Sequence, residues 1–339
     1  MTRYVIQRLL SAVLILLGVS VLTFTISHII PADPARIAAG PTAGQAQVEA
    51  LRKAMGLDRP APEQYLIYLQ GILHFDLGRS IRTQQPISEE IVRYLPATLE
   101  LILFSFVLYT IIGIALGAIA AVKHNSWMDI LIRVVSIVAF AVPVYVLGLW
   151  LLYGLYFQLG WFPSGGRLDI KTTPPPHVTN FFLIDSLLAG NIPVFLESFQ
   201  HLILPALTLT LGLLAIATRI TRSGMLNELN SKYVQVARLK GVTEWSVVVK
   251  HALRNSLIPV LTLMGVQFGY LIGGTVIVET IFQWPGIGLY TFRAITSLDY
   301  AAVMGVTLIA TFFFVMTNLG LDLLYPVLDP RIAAWGERR

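Results

Sequence analysis

The side chains from which this sequence could build a reactive centre are few: six histidines, nineteen acidic residues and no cysteine. The lack of cysteine removes disulfides, thiolate zinc sites, iron–sulfur clusters and thiol nucleophiles. His28, His74, His124, His177, His201 and His251 fall in different loops and helices, and none forms the His-Glu-x-x-His spacing that puts two metal ligands on one helical face. No metal site is therefore expected. A phosphate-binding loop needs Gly-Lys followed by Ser or Thr, so that backbone amides and an ammonium can hold the phosphates. The chain contains no Gly-Lys pair, and any ATP energy has to come from another subunit. Glu100, Glu279 and Asp322 stand in or beside long apolar stretches. Carboxylates in such positions are costly and often functional, which makes Glu100 and Glu279 candidates for a substrate path. All three are expected close enough to helix ends to stay hydrated. Carboxylates near a membrane midplane, which proton coupling would use, are missing.

Those apolar stretches dominate the chain. Hydrophobic residues make up 55% and charged residues 13% of its 339 positions, about half the charge of a soluble domain. Residues 9–30, 97–122, 134–159, 202–218, 257–278 and 301–321 approach or exceed the roughly 20 apolar residues a helix needs to cross the hydrocarbon. The predicted fold class is an all-α integral membrane protein with six transmembrane helices. Fourteen Lys and Arg, including Arg3, Arg8, Lys123, Arg133 and seven within 219–256, flank one side of these helices. Only Arg167, Lys171 and Arg293 stand in the short loops of the other. The bias of basic residues toward the inside then places both termini in the cytoplasm. The first apolar run is longer than a signal-peptide core of about 7–15 residues, so a retained first helix is expected.

The connections carry their own patterns. Residues 31–96 read as a folded extracytoplasmic loop, with a short helix over 48–55 stopped by Gly56 and another over 63–74 presenting Leu66, Leu69 and Leu73 on one face. It serves either as a lid or as a docking surface for an external partner. The 160–200 loop is irregular through Pro174–Pro175–Pro176, with an interfacial helix near 181–188. In 219–256, Ser231 caps a predicted helix ending near Leu239, and Gly241 turns the chain in the left-handed conformation. Thr243 caps a second helix with Glu244 in its first turn. Tyr233, Val234, Val236 and Ala237 give this basic hairpin of helices a small apolar face, which suits a socket for another protein. In the fifth stretch Gly265, Gly269 and Gly273 recur every four residues, a smooth stripe for helix packing that Gly113 and Gly117 repeat.

The short motifs carry a resemblance. Gln235–Val236–Ala237, followed after three residues by Gly241, resembles the Glu-Ala-Ala-x3-Gly loop of ATP-binding-cassette importer permeases, with Gln235 in place of the acid and Val236 in place of the first alanine. His251–Ala252–Leu253–Arg254–Asn255 resembles the form found in the dipeptide, oligopeptide and nickel permeases. Pro31–Ala32–Asp33–Pro34, Leu57–Asp58–Arg59–Pro60, Asp76–Leu77–Gly78 and Pro96–Ala97–Thr98–Leu99–Glu100 are similar to further motifs of that family. So are Leu204–Pro205–Ala206, the run from Glu279 to Gly288, Asp322–Leu323–Leu324–Tyr325 and Asp329–Pro330–Arg331.

The resemblance implies a single permease domain over 1–339 of the type I importer bundle, with a five-helix core over 97–324 and an ATPase-docking loop over 219–256. Tyr233, Val234, Gln235, Val236, Ala237, Gly241 and Thr243 would couple to the ATPases. The implied partners are a second homologous permease, two cytoplasmic ATPases that use ATP and Mg, an extracytoplasmic substrate-binding protein and membrane lipid, with no nucleic acid. No cofactor is expected on this chain. The implied location is the bacterial inner membrane, the cargo a di- or oligopeptide, with nickel as runner-up. An ion-coupled secondary transporter would instead work without any ATPase and stop with an uncoupler. A membrane enzyme would turn over substrate alone.

Overall fold

A computed structural model describes residues 2–29, 34–40 and 43–328. Among them the chain is built from helices, and the only β pairing is an isolated bridge between Arg79 and Pro86. In order these are α1 (Thr2–Ile29), α2 (Pro34–Ala39), α3 (Gln45–Ala54), α4 (Ala61–Leu73), α5 (Ile87–Val122), α6 (Trp127–Ala141) and α7 (Val144–Leu151). There follow α8 (Phe182–Leu188), α9 (Ile192–Leu229), α10 (Lys232–Leu239), α11 (Glu244–Ser246), α12 (Arg254–Ile281), α13 (Ile287–Thr296) and α14 (Tyr300–Leu328). Two π-helical segments, Leu152–Gln158 and Val247–Leu253, continue α7 and join α11 to α12.

Among the described residues α1, α5, α9 and α14 are long and apolar enough to cross a membrane, and two bent helix pairs raise the number to as many as six if each pair is one span. The stretch 134–159, expected as one span, is one of those pairs: Trp127–Ala141 and Val144–Gln158 meet at 107°. Pro143 is the cause. It has no N–H to continue the ladder, and its ring forces Val142 into an extended conformation with ψ 128°. The second pair, Leu263–Gly269 and Gly273–Ile281, bends by 60°. α5 and α9 outrun their apolar stretches, because residues such as Glu89, Glu90 and Arg222 leave the hydrocarbon without leaving the helix.

The chain divides into two compact units. The first, Met1–Pro96 with Gly286–Leu319, is centred on Ile87, Ile91, Ile287, Tyr290, Ala294, Ala302 and Val306. Here the buried Tyr290 hydroxyl donates to Glu90 Oε2 at 2.7 Å. The α4 helix lies on α1 through Tyr65 and Tyr68 around Phe24, with Tyr65 bonded to Ser20 at 2.9 Å. This corrects the face expected for α4, since Leu66 and Leu73 are exposed. The helix carries two apolar stripes, and the aromatic one buries more area per residue.

The second unit, Ala97–Pro285 with Gly320–Arg339, is built around α9, which packs against α6, α7, α8 and α12. Its core joins Leu101, Ile102, Leu202, Leu204, Leu271, Phe282 and Trp284. α5 crosses α9 closely at Gly113 and Gly117, where an added Cβ would come within 2.4 Å of Ala217 Cβ and 2.5 Å of Thr221 Cβ. The α12 stripe is used only in part: Gly265 and Gly269 are buried, whereas Gly273 is exposed with open space beside it. Pro31, Ala32 and Asp33, the run Asp329–Pro330–Arg331 and the side chains of Asp322–Leu323–Leu324–Tyr325 lie outside the described residues.

Candidate functional site

The basic hairpin predicted over 219–256 is present, with a more specific construction than its sequence shows. α9 ends at Leu229 and α10 begins after Ser231, whose hydroxyl donates back to Glu228 O at 2.6 Å rather than capping the new helix. α10 closes on Gly241 at φ +80°. Gly241 N–H donates to Arg238 O at 3.0 Å and Val242 N–H to Ala237 O at 3.2 Å, the paired bonds of a left-handed helix stop. Thr243 makes no side-chain cap either. The bend is instead closed by Arg238, whose Nε and Nη2 donate to Glu244 Oε1 and Oε2 at 2.8 and 3.2 Å.

Tyr233 is the hub of this hairpin. Its hydroxyl donates to Glu228 Oε2 at 2.5 Å, lies 3.2 Å from His251 O and accepts from Asn255 Nδ2 at 2.8 Å. Burial and the adjacent Glu228 carboxylate push its phenol above the ordinary value, so it stays a neutral donor. α9, α10, the π-helical segment and α12 are thereby held by one side chain. Val234 is fully buried, which turns it into an anchor and corrects its place on the expected outward face. Gln235 and Val236 are exposed and Ala237 half-buried. The outward apolar surface is completed by Leu239, 88% exposed, and Trp245, 77% exposed. Sequence reasoning missed both, although Leu239 follows Val236 at i+3 and so continues its face.

About two turns before α9 ends, Arg222 donates through Nε and Nη2 to both oxygens of Asp129 at 2.7 Å. Asp129 is fully buried and also accepts from Asn125 N–H at 3.1 Å. One of the basic residues counted as a topology signal is thus spent tying α6 to α9, bidentate geometry being the strong form of such a pair.

The two membrane carboxylates, expected at hydrated helix ends, are buried. Glu100 is 5% exposed and lies inside α5, thirteen residues from its start, because the helix begins at Ile87 rather than near 97. It accepts from Arg167 Nη2 at 2.5 Å and from Leu183 N–H at 2.9 Å. Arg167 donates further to Asn180 O at 3.0 Å, and its guanidinium lies 3.5 Å from the Phe182 ring centroid. Glu279 is fully buried and accepts from Thr98 Oγ1 at 2.7 Å. Close by in sequence, Trp284 Nε1 donates to Ala97 O at 2.8 Å. Both carboxylates are engaged by the chain's own 97–100 and 160–183 segments, an arrangement that organises the end of the unit. Among the histidines, His201 faces Asp169 and Glu197.

These arrangements belong to a scaffold of long apolar helices and to a basic hairpin that exposes a few large apolar side chains. Residues 113–334 match the family described as binding-protein-dependent transport system inner membrane component, and residues 1–102 match its N-terminal component. The chain is 46% identical over 330 residues to a probable D,D-dipeptide transport system permease protein of Escherichia coli (strain K12), covering 97% of both chains. It is 41% identical over 332 residues to a dipeptide transport system permease protein of Alkalihalophilus pseudofirmus, covering 98% of this chain and 99% of the relative. To a glutathione transport system permease protein of Escherichia coli O6:H1 it is 37% identical over 332 residues, with the same coverage. The chain therefore belongs to the binding-protein-dependent transport system inner membrane components, the inner-membrane permease subunits of ATP-binding-cassette importers.

Proposed function

We propose that this chain forms half of a translocation path for di- or oligopeptides, pairing with a second homologous permease and driven by two ATPases that seat on the α10–Gly241–α11 hairpin. The observation that carries the coupling half of this reading is the outward surface of Val236, Leu239 and Trp245 on a hairpin made rigid by Tyr233 and the Arg238–Glu244 pair. Large apolar side chains so exposed on an otherwise basic element mark a protein–protein contact. The peptide half is supported by relatives whose names specify dipeptide transport and which match along nearly their whole length. The basic hairpin faces the cytoplasm with both termini, an extracytoplasmic binding protein delivers the cargo, and nucleotide and Mg are held by the ATPases. Alternating access follows: closure of the ATPases pushes the hairpin, and the Tyr233 hub passes the motion to α9 and α12 together.

The test is reconstitution of the chain with its permease and ATPase partners in proteoliposomes supplied with the binding protein. ATP-dependent accumulation of labelled dipeptide that persists with an uncoupler is expected. Uptake that survives omission of the ATPases and collapses with an uncoupler would replace this reading with ion-coupled transport.

A further inference from the structure

The 160–181 connection returns to α9 at one place, where three potential metal ligands converge. Gly165 passes so near the end of α12 that a Cβ there would lie 2.1 Å from Phe282 O, and Gly166 N–H donates to the same oxygen at 2.9 Å. This close approach brings Gly165 O to 2.9 Å from His201 Nδ1. A carbonyl oxygen can only accept, so Nδ1 is the donor in this bond and Nε2 is the ring atom left for a metal. His201 is 4% exposed. Its Nε2 points to Asp169 Oδ1 at 3.9 Å, too far for a hydrogen bond.

Glu197 stands one helical turn before His201 on the same face of α9. Its Oε1 accepts from Asp169 N–H at 2.8 Å and its Oε2 from Thr172 Oγ1 at 3.0 Å. The imidazole nitrogen and a carboxylate oxygen from each acid all lie within 4.8 Å of one another. A cation placed among these three groups would join them. Ligand atoms about 2.1 Å from a common ion in tetrahedral coordination lie about 3.4 Å apart, so closure asks for a movement of up to roughly 1.5 Å. Asp169, with its side chain 74% exposed, can supply it.

We propose that His201 Nε2, Asp169 Oδ1 and the Glu197 carboxylate hold one divalent first-row transition cation, zinc being the best fit, which staples the 160–181 connection to α9. One imidazole and two carboxylates suit such a cation, whereas magnesium and calcium prefer oxygen alone. The surrounding bonds are of the kind that orient metal ligands: Gly165 O sets the tautomer of His201, while Thr172 and the Asp169 amide hold Glu197. The signal in the sequence is Glu197 and His201 at i and i+4, completed by an acid 28 residues earlier that only the folded loop brings near. The site is independent of the transport reading.

The experiment uses the full chain in detergent, stripped with a chelator and titrated with zinc against a chromophoric competitor, with bound zinc counted by mass spectrometry. One zinc per chain is expected, with reduced hydrogen exchange over 165–172 when zinc is present. Asp169→Asn, an exposed change that preserves volume, should weaken binding at least about tenfold and abolish that protection. Thr172→Val should weaken it about tenfold by releasing Glu197. The assignment is overturned if wild type binds no more zinc than Asp169→Asn, if Asp169→Asn and Glu197→Gln both bind with wild-type affinity, or if calcium displaces zinc at equal concentration.

Discussion

Replacing Gly241 separates the shape of the α10–α11 bend from the contacts it makes. At φ +80° an added Cβ meets no atom within 4 Å, so the substitution has no steric neighbour to displace and its cost is backbone strain alone. Alanine in this conformation costs roughly 1–2 kcal/mol, and a β-branched valine up to about 3 kcal/mol. At about 1.4 kcal/mol per factor of ten, the properly bent hairpin should lose roughly 5- to 30-fold in population for Gly241→Ala and up to about 150-fold for Gly241→Val. Asparagine tolerates the left-handed region and should stay within about threefold of wild type. Co-purification of the ATPases with each variant, and ATP-driven uptake in proteoliposomes, should follow the order Gly, Asn, Ala, Val. Membrane insertion should be equal in all four, because the bend lies outside the spans. Wild-type coupling in Gly241→Val would refute the role of the bend. Equal loss in Asn and Val would mean that a partner needs the space beside Gly241, whatever its backbone angle.

Three further outcomes test other parts of the chain. Cysteines at Ser231 and Ser246 should label only from the cytoplasm, and ones at Ala43 and Thr173 only from outside; external labelling of Ser231 would reverse the orientation. Glu100→Gln removes the carboxylate bonded to the buried Arg167 and leaves it only the charge of Asp185, a change of the kind that costs up to about 3–5 kcal/mol. It should lower thermal stability and expose 160–183 to protease, with partial recovery in the Glu100→Gln/Arg167→Met double variant. Normal stability with lost transport would instead mark Glu100 as a substrate contact. Asp185 is buried, which raises its pKa, but the Thr179 hydroxyl and the Thr179 and Asn180 amides outweigh this and hold it below the ordinary 3.8. A lowered folded-state value stabilises the loop above that ordinary value and loses the contribution as pH falls below it, so exchange at Thr179 and Asn180 should rise only under strong acid; Asp185→Asn should remove the dependence.

The membrane class, the apolar cores of the spans and the glycine bend of the hairpin were legible in the sequence because each depends on local composition or on one residue's backbone freedom. Twenty apolar residues need a bilayer wherever they sit, and Gly241 ends α10 through bonds to residues three and five positions away. Even the break in the third span was written locally, in Pro143, though hydropathy alone reads through it. Pairings between distant segments were not legible. Arg167 finds Glu100 across 67 positions, and Arg222 finds Asp129 across 93. Nothing in the spacing says that one arginine closes a loop and the other locks two helices while their neighbours stay solvated. The same holds for His201, which became a candidate ligand only when Gly165 allowed the loop to reach it. Val234 and Leu239 show the limit on a single short helix. Both are apolar and five residues apart, yet the packing of α10 against α9 and the π-helical segment buries one and leaves the other exposed.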